Sequence, residues 1–290
     1  MNKTDISIII PAYNESASIG KVIDKIRSLY PDFEIIVIND GSTDDTVNTA
    51  RQSGAIVYSH PYNMGNGAAI KSGVRIASGE ILVFMDGDGQ HDPENIREFL
   101  PYFPDYDMVV GARQKSGKPH SVRSLGNSIL NRLATYVAKF RVVDLTSGFR
   151  AVKADIARKF LFLLPNTYSY PTTITLGFLR DGRSVKYIPI TQIRRQTGKS
   201  EIKIIRDGLK FIMIITKICT LYSPLRIFLP VSFLMFVIGL AYYIYTYITA
   251  GRFTNMSALL FTTSIIIFMM GLVSEQVSQL RYDKNEGDRI

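Results

Sequence analysis

The sequence predicts an α/β fold, with a mostly parallel sheet flanked by helices, followed by an amphipathic helix and two transmembrane helices. Three observations support this prediction. Short apolar, β-branched runs alternate with segments of helical spacing over about the first 90 residues. Two runs of 22 residues near the C-terminus contain no charged residue. Between these regions, basic residues recur on one helical stripe among apolar residues.

The first strand and the first helix follow from local patterns. Residues 6–10 form a short apolar run that we expect to be a strand ending at Pro11. In residues 18–29, apolar side chains recur at the spacing of one helical face, at Ile19, Val22, Ile23 and Ile26. The chain therefore begins with a strand and an amphipathic helix.

Two further strand–helix units and a fourth strand follow. We predict strands at residues 34–38, 55–59 and 81–85, and helices at 46–53 and from Gly67 to Ala77. The cluster Asn39–Asp44 between the second strand and its helix is both a turn and a helix cap. Alternation at this spacing predicts right-handed crossovers in a mostly parallel sheet. No Gly-x-Gly-x-x-Gly follows the first strand, which argues against a dinucleotide-dependent oxidoreductase.

Composition narrows the class of protein. The chain has 290 residues, 46% of them apolar and 20% charged, with a formal net charge of +9. Its single cysteine, Cys219, excludes an intrachain disulfide and fits a reducing compartment. The N-terminus lacks a signal-peptide pattern, so we expect the folded domain on the cytosolic side. No nucleic-acid-binding motif accompanies the basic charge, so we predict membrane phospholipid or a phosphorylated substrate as the partner instead.

Two carboxylates one residue apart carry the strongest chemical signal. Asp86 and Asp88 follow the fourth strand, in Asp-Gly-Asp-Gly-Gln. Residues i and i+2 of an extended segment point to the same side, so we expect both at the carboxyl edge of the sheet, where ligands bind. With the Gln90 carbonyl they suit Mg²⁺ or Mn²⁺, which take further ligands from phosphates and water. Taken alone, the motif also fits a surface Asp-Gly turn.

Polar clusters follow three of the predicted strands. Pro11-Ala-Tyr-Asn-Glu15 follows the first, Asn39–Asp44 the second and Asp86–Gln90 the fourth. Carboxyl ends of parallel strands meet at one edge, so we expect a single site. With these clusters in this order, the sequence resembles the inverting glycosyltransferases of family 2, which have the glycosyltransferase-A fold. The resemblance extends over the whole chain.

Three later motifs narrow the resemblance. They are Gly111-x-Arg113, Asp144-x-x-Ser-Gly-Phe149 and Arg195-x-x-Gly-x-Ser200, followed by the apolar runs. In this order the chain is similar to the polyprenyl-phosphate sugar synthases, which use dolichyl or undecaprenyl phosphate. The resemblance implies transfer of a hexose from a nucleotide-diphosphate sugar, either UDP- or GDP-linked, to a polyprenyl phosphate.

The resemblance also implies residue roles. Nucleotide-sugar contacts are implied for Pro11, Tyr13, Glu15, Ile38, Asp40, Asp86, Gly87, Asp88, Gln90, Arg113 and Arg195. Asp86, Asp88 and Gln90 would hold Mg²⁺ or Mn²⁺, and the ion would stabilise the departing nucleoside diphosphate. Asp86, Asp88, Arg113 and Arg123 are the implied catalytic residues. For three neighbours we predict supporting roles: a helix cap for Asp44 and Asp45, and loop support for His91.

Arginines are implied to form the acceptor half of the site. Arg113 and Arg123, with Asn127 one helical turn later, would bind the lipid phosphate, to which the guanidinium fork is suited. The alternative for residues 113–123 is a solvated basic loop. Arg195 is expected to fold over the diphosphate.

Two departures from the family pattern affect this site. The family often has a lysine where Asn66 stands, and often Ser-Lys where this chain has Ser200 and Glu201. The second lysine is expected to reach the nucleotide phosphates. Lys199 and Lys203 are the two candidates for that contact.

The implied reaction needs no strong base. A polyprenyl monophosphate is already an anion near neutral pH, unlike a sugar hydroxyl. We therefore expect positioning and charge neutralisation to supply most of the rate, through in-line attack on the anomeric carbon with inversion. An α-linked donor would give a β-linked product.

The predicted organisation has three parts. They are a catalytic domain at 1–201, an amphipathic interface helix at 202–225, and a hairpin at 226–290 with spans at about 227–248 and 254–274. An ordinary surface helix is the alternative for the middle part. Basic residues flank the hairpin on both sides and its loop has one arginine, so we predict both ends in the cytosol. The membrane would be the cell membrane, or the endoplasmic reticulum membrane in a eukaryote.

Two other functions compete with this one. The first is a membrane glycosyltransferase acting on a glycolipid or polysaccharide, faintly suggested by Gln192-Ile-Arg-Arg195. The second is a non-catalytic membrane scaffold, against which the acidic motif and Arg113 argue. The sequence leaves open the sugar, the nucleotide, the choice of dolichol or undecaprenol, and whether the protein is a monomer or a homo-oligomer.

Overall fold

Seven strands form one mixed sheet in the order β3-β2-β1-β4-β6-β5-β7. The strands are β1 Ile6–Ala12, β2 Glu34–Asn39, β3 Ile56–Ser59, β4 Ile81–Phe84, β5 Met108–Arg113, β6 Arg150–Lys153 and β7 Val185–Ile190. All pairings are parallel except those of β6, which runs antiparallel to both β4 and β5. The computed structural model describes residues 5–113, 122–167, 169–191 and 223–287, with the single positions 213, 216, 219 and 220.

Helices cover both faces of the sheet. They are α1 Ile19–Leu29, α2 Thr46–Gln52, α3 Asn66–Ile76, α4 Ile96–Phe99, α5 Val122–Ala138, α6 Ala154–Lys159 and α7 Tyr170–Arg180. Side chains of β1 alternate between two cores, with Ile8 and Ile10 packing beside α1 and Ile9 packing beside α3. The predicted mostly parallel sheet with flanking helices is therefore confirmed.

The first four predicted strands are all present, with small differences at their ends. β1 continues through Pro11 to Ala12, so the prediction that it stops at Pro11 is wrong. The reason is tertiary: Pro11 and Ala12 lie in register with Ile38 and Asn39 of β2. No strand was predicted after β4, and β5–β7 with their helices complete the sheet.

Contacts divide the chain into two units, Met1–Ile214 and Ile215–Ile290. The second unit contains α8 Leu225–Ala250 and α9 Asn255–Gly287. By length and composition, α8 and the Asn255–Ser278 part of α9 are apolar enough to span a membrane. Gly251, at φ +61°, ends α8 in the left-handed conformation that favours glycine. The predicted amphipathic helix falls mostly on residues outside the described part of the chain.

Small residues are buried at intervals of seven along α8 and α9. Those buried on α8 are Ser232, Gly239 and Thr246, and those on α9 are Ser257, Ser264, Gly271 and Ser278. Ser232 and Ser264 exchange hydrogen bonds, each hydroxyl donating to the other's carbonyl at 2.8 and 2.9 Å. A seven-residue repeat keeps one seam facing the partner helix, and small side chains allow close approach.

Candidate active site

The loops that follow β1 and β2 are held together by hydrogen bonds. The Glu15 amide donates to Thr46 Oγ1 at 2.9 Å, and the Ser16 amide donates to Asp44 Oδ2 at 3.1 Å. Asp44 also accepts from the Thr46 amide at 3.1 Å. Burial opposes the change, but the hydrogen bonds from Thr46 and Ser16 lower the pKa of Asp44. Asp44 therefore stabilises the start of α2, as predicted, whereas Asp45 stands at the N-cap without a side-chain cap hydrogen bond.

Tyr13 and Ile38, both predicted to contact the nucleotide, differ in their exposure to solvent. Tyr13 lies in the loop after β1 and is 38% exposed, so its ring is available to a ligand. Ile38 is 0% exposed and packs in the core between the sheet and α3. Its side chain cannot reach a ligand there, so a contact from Ile38 is restricted to its backbone.

Asp40 is buried and organises the loop before α3. Its Oδ1 accepts from the Met64 amide at 2.9 Å, and its Oδ2 accepts from the Gly65 amide at 2.8 Å. His60 Nδ1 lies 2.7 Å from Oδ1, and its Nε2 lies 2.9 Å from Ser72 Oγ. No sequence motif marks His60 or Ser72. Asp40 thus fixes the backbone of the loop before α3 at the edge of the site.

Asp86 and Asp88 lie in a turn. β4 ends at Phe84, so the two carboxylates lie outside the extended strand. That both point to the same side therefore does not follow from strand geometry. Asp88 Oδ1 accepts from the Gln90 amide at 3.0 Å, and Gly89 has φ +72°. This side-chain-to-backbone bond is typical of an Asx turn. The turn still stands at the carboxyl edge of β4, where the sequence placed the site.

Ser18 connects this turn to the loop after β1. Its hydroxyl lies 2.8 Å from the Gly87 carbonyl and 3.0 Å from Glu15 Oε2. Gly87 is buried, and a Cβ there would lie 3.1 Å from Ile19 Cδ1. Close packing therefore accounts for Gly87 without a ligand. Ser18 was missed by the sequence analysis because its position only marks the start of a helix.

The far side of Asp86 is formed by the loop before β6. A Cβ on Gly148 would lie 3.2 Å from Asp86 Oδ2, so the glycine allows this backbone to approach the carboxylate. His91 Nε2 lies 3.6 Å from the same oxygen, and its ring stacks on Phe149 at 4.9 Å. His91 therefore supports the site from a buried position, in line with its predicted role.

Arg113 forms a bidentate ion pair with Asp144. Its Nε lies 2.7 Å from Asp144 Oδ2, and its Nη2 lies 2.8 Å from Oδ1. Nη2 also donates to Thr146 Oγ1. The hydrogen bond to Asp144 raises the pKa of Arg113, and the pair lowers the pKa of Asp144 although burial opposes this. The fork of Arg113 is thus engaged by Asp144 rather than directed as a whole at a phosphate.

The remaining predicted residues are placed less fully. Arg123 and Asn127 lie on α5, and their side chains are outside the described part of the structure. Arg195 is also outside the described residues, as are Lys199 and Lys203. The predicted acceptor contacts therefore stay predictions.

The acidic turn fits a divalent cation that shares its ligands with a substrate. Among the residues that the structure describes, no group of three or more histidine, cysteine or acidic side chains gathers. Asp86 and Asp88 supply two hard oxygen ligands at the sheet edge. Mg²⁺ is usually held by one or two carboxylates plus phosphate oxygens and water. The donor set therefore suits Mg²⁺ or Mn²⁺ bound together with a diphosphate.

A mixed sheet with an acidic turn at its edge is joined, in one chain, to a hairpin of two long apolar helices. The chain belongs to glycosyl transferase family 2, whose model matches residues 7–161. A second model, the GtrB C-terminal hairpin, matches residues 223–280. The enzyme class predicted from the sequence is confirmed.

Individual relatives agree with this assignment. The chain is 28% identical over 211 residues to undecaprenyl-phosphate mannosyltransferase of Micrococcus luteus, covering 67% of this chain and 86% of the relative. It is 26% identical over 306 residues to undecaprenyl-phosphate 4-deoxy-4-formamido-L-arabinose transferase of Aeromonas hydrophila, covering 98% and 92%. A structure of glucosyl-3-phosphoglycerate synthase from Mycobacterium tuberculosis, with Mn²⁺, UDP and glucosyl-3-phosphoglycerate, has a TM-score of 0.60 at 23% identity, covering 74% and 80%. The structural likeness supports the fold.

Proposed function

We propose that this glycosyltransferase moves a hexose from a nucleotide-diphosphate sugar to a polyprenyl phosphate, with a divalent cation, at the cytosolic face of a membrane. One observation carries the proposal: an acidic turn at the carboxyl edge of the sheet is joined, in one chain, to an apolar helical hairpin. A hairpin that anchors the enzyme in the bilayer would keep this site beside an acceptor in the membrane. Relatives named for undecaprenyl-phosphate transfer support the same acceptor.

The donor half is formed by the carboxyl edge of β1, β2 and β4. Tyr13 is exposed beside it, and Asp40 fixes the backbone at Met64 and Gly65. A cation held by Asp86, Asp88 and Gln90 would neutralise charge on the diphosphate. The Mn²⁺ and UDP in the M. tuberculosis synthase structure support a metal and favour a UDP-linked donor.

The acceptor half is proposed to involve Arg113, Arg123 and Asn127. Asp144 holds the Arg113 guanidinium through Nε and Nη2, which fixes its plane and directs Nη1 away from the ion pair. In this arrangement Arg113 would contribute a fixed point of positive charge, and Arg123 a second donor. A phosphate monoester carries about −1.5 to −2 charges at pH 7. The two arginines would hold it next to the anomeric carbon.

The reaction follows from this arrangement. An oxygen of the lipid phosphate attacks the anomeric carbon while the bond from that carbon to the nucleoside diphosphate breaks. The phosphate oxygen is already deprotonated, so no residue has to remove a proton. Asp86, Arg113 and the buried Asp144 orient the reactants, and in-line geometry inverts the anomeric configuration.

Label transfer tests the proposal. Detergent-solubilised enzyme is given radiolabelled UDP- and GDP-hexoses with undecaprenyl phosphate, dolichyl phosphate or no lipid, each with Mg²⁺, Mn²⁺ or excess EDTA. We expect label in the lipid phase only with a polyprenyl phosphate and a divalent cation. Transfer to endogenous glycolipid or polysaccharide without added polyprenyl phosphate would indicate the competing acceptor. Failure to bind or use any nucleotide sugar would favour the scaffold.

A further inference from the structure

A fully buried arginine lies behind the acidic turn. Arg150 is the first residue of β6 and is 0% exposed. It is one of the largest side chains that are fully buried. Arginine is almost never fully buried without an ion-pair partner, because removing a charge from water is costly. No sequence motif predicted a role for Arg150. Its presence in the core therefore calls for an explanation.

The hydrogen bonds of Arg150 go to neutral acceptors, including the Met108 sulfur at 3.8 Å. Nη1 donates to the Pro171 carbonyl at 3.1 Å and to Thr175 Oγ1 at 2.9 Å, and Nη2 donates to the Ser147 carbonyl. Nε is buried with no hydrogen-bond partner among the residues that the structure describes. None of the ion pairs described for the chain includes Arg150. The charge is hydrogen-bonded, but it is not neutralised by a contacting carboxylate.

The position of Arg150 places this charge near the predicted metal and diphosphate site. Its Cα is paired with that of Phe84, at the end of β4, two residues before Asp86. Paired residues of antiparallel strands lie about 5 Å apart. Arg150 also donates a hydrogen bond to the Ser147 carbonyl. The backbone of the next residue, Gly148, lies close to the Asp86 carboxylate.

Two carboxylates of the site, Asp144 and Asp86, interact electrostatically with Arg150. Burial lowers the pKa of Arg150, and electrostatic interactions with Tyr170, Tyr187, Asp144 and Asp86, in decreasing order, oppose this shift. An arginine remains protonated at neutral pH. A positive charge in a low-dielectric interior is screened less than one in water, so its field extends to the sheet edge.

We infer that Arg150 is a fixed, buried positive charge that strengthens binding of the anionic nucleoside diphosphate at the Asp86–Gln90 turn. It is a positioning residue, because it contacts no substrate and acts through its field and through the Ser147–Gly148 backbone. The inference rests on the proposed function. It makes a prediction that packing alone does not: removing the charge should change anion and cation affinities in opposite directions.

Binding measurements on the full-length enzyme in detergent test this inference. Arg150→Met and Arg150→Gln remove the charge, and Gln retains some hydrogen bonding if Met fails to fold. Titration calorimetry gives the affinity for UDP or GDP, whichever the wild type binds, without metal. Electron paramagnetic resonance of free Mn²⁺ gives the metal affinity without nucleotide. We expect nucleotide affinity to fall roughly tenfold and Mn²⁺ affinity to rise roughly threefold in the variants.

Two further variants separate charge from packing. Arg150→Lys keeps a positive charge and should bind the nucleotide more tightly than Arg150→Gln. Arg158 is a control for the loss of an arginine elsewhere, because it also donates to backbone carbonyls, at Ala77 and Val74, but is an exposed residue of α6. Arg158→Met should lower the thermal unfolding temperature and leave both affinities unchanged.

The outcomes are distinct. Nucleotide affinity that falls while Mn²⁺ affinity rises supports the inference. Two affinities that weaken together, or that both stay unchanged, overturn it, since they indicate a packing role or none. A wild-type enzyme that binds neither nucleotide nor Mn²⁺ would instead contradict the proposed function.

Discussion

At the scale of single residues, the Asp88 turn permits a conservative test of the metal site. Asp88 Oδ1 accepts a hydrogen bond from the Gln90 amide, and an asparagine oxygen can accept the same bond. Asp88→Asn therefore removes one charge while the turn is kept. We expect sugar transfer to fall by on the order of 100-fold or more, as for loss of a group that stabilises developing charge. Label transfer measures the loss.

Two measurements of folding serve as controls for Asp88→Asn. The circular dichroism spectrum and the thermal unfolding temperature of Asp88→Asn should match those of the wild type. Full transfer by this variant, or by the wild type in excess EDTA, would rule out the assignment of Asp88 to a metal.

The Arg113–Asp144 pair predicts a pH-dependent contribution to stability. The folded-state pKa of Asp144 lies below its ordinary value of 3.8, so the unfolded chain binds more protons between these two values. The stabilisation is therefore present above about pH 4 and is lost as the pH falls through the folded-state pKa. Asp144→Asn leaves Arg113 half-buried without its charged partner and should cost about 3 kcal/mol at pH 7.

Thermal unfolding at pH 7 and at pH 3 measures this effect. The difference between Asp144→Asn and the wild type should shrink at pH 3. Asp24→Asn, on the exposed face of α1, is the control and should change little at either pH. A deficit in Asp144→Asn that is equal at both pH values would show that packing, not charge, makes the contribution.

Arg123 is the residue with which binding of the acceptor phosphate can be tested. If its guanidinium binds the lipid phosphate, Arg123→Lys should raise the KM for polyprenyl phosphate by roughly thirtyfold, since losing a bidentate contact to a charged group costs about 2 kcal/mol. Arg132→Lys, on the exposed side of the same helix, is the control. An unchanged acceptor KM with a weakened donor KM would move Arg123 to the nucleotide side.

At the scale of elements, the α8–α9 hairpin depends on small side chains along its seam. A Cβ on Gly271 would lie 2.7 Å from Phe228 Cβ, closer than two such carbons can approach. Gly271→Leu should therefore separate the helices and cost about 1–3 kcal/mol, as overpacking does. Val273→Leu, on the exposed side of α9, should be tolerated.

Cross-linking measures this separation. Ser232 and Ser264 have their hydroxyl oxygens 3.2 Å apart, so Ser232→Cys with Ser264→Cys in a Cys219→Ser background should form a disulfide. Adding Gly271→Leu should reduce its formation, and adding Val273→Leu should not. Equal cross-linking in both would mean that the seam does not depend on Gly271.

At the scale of the whole molecule, the predicted orientation can be tested by labelling. The basic flanks of the hairpin and its single loop arginine predict that only residues 249–255 face away from the cytosol. In the Cys219→Ser background, Asn255→Cys should react with a membrane-impermeant thiol reagent in sealed cells, and Asn285→Cys should react only after lysis. The opposite pattern would place the catalytic domain on the other side of the membrane.

Much of the architecture could be predicted from local patterns. β1 to β4 and their helices follow apolar periodicities of two and 3.6 residues, which depend only on neighbours in the chain. The hairpin follows from two uncharged runs of 22 residues. Asp86 and Asp88 were placed at the sheet edge because a turn ends an apolar strand there.

The second half of the sheet could not be predicted in the same way. β6 has four residues and lies between β4 and β5, which precede it in the chain, so its place depends on long-range pairing. A four-residue segment beginning with arginine has no strand signal of its own. The close approach of the Gly148 backbone to Asp86 follows only from that pairing.

By itself, the sequence determined the α/β class, the glycosyltransferase family, the apolar helical hairpin and the sheet edge that carries the acidic turn. The tertiary structure decided which charges meet. It paired Arg113 with Asp144, buried Asp40 against His60, and placed Arg150 in the core behind Asp86. The physical reason is range: periodicity records whether one residue is buried, whereas an electrostatic partner distant in the chain is chosen only when the strands assemble.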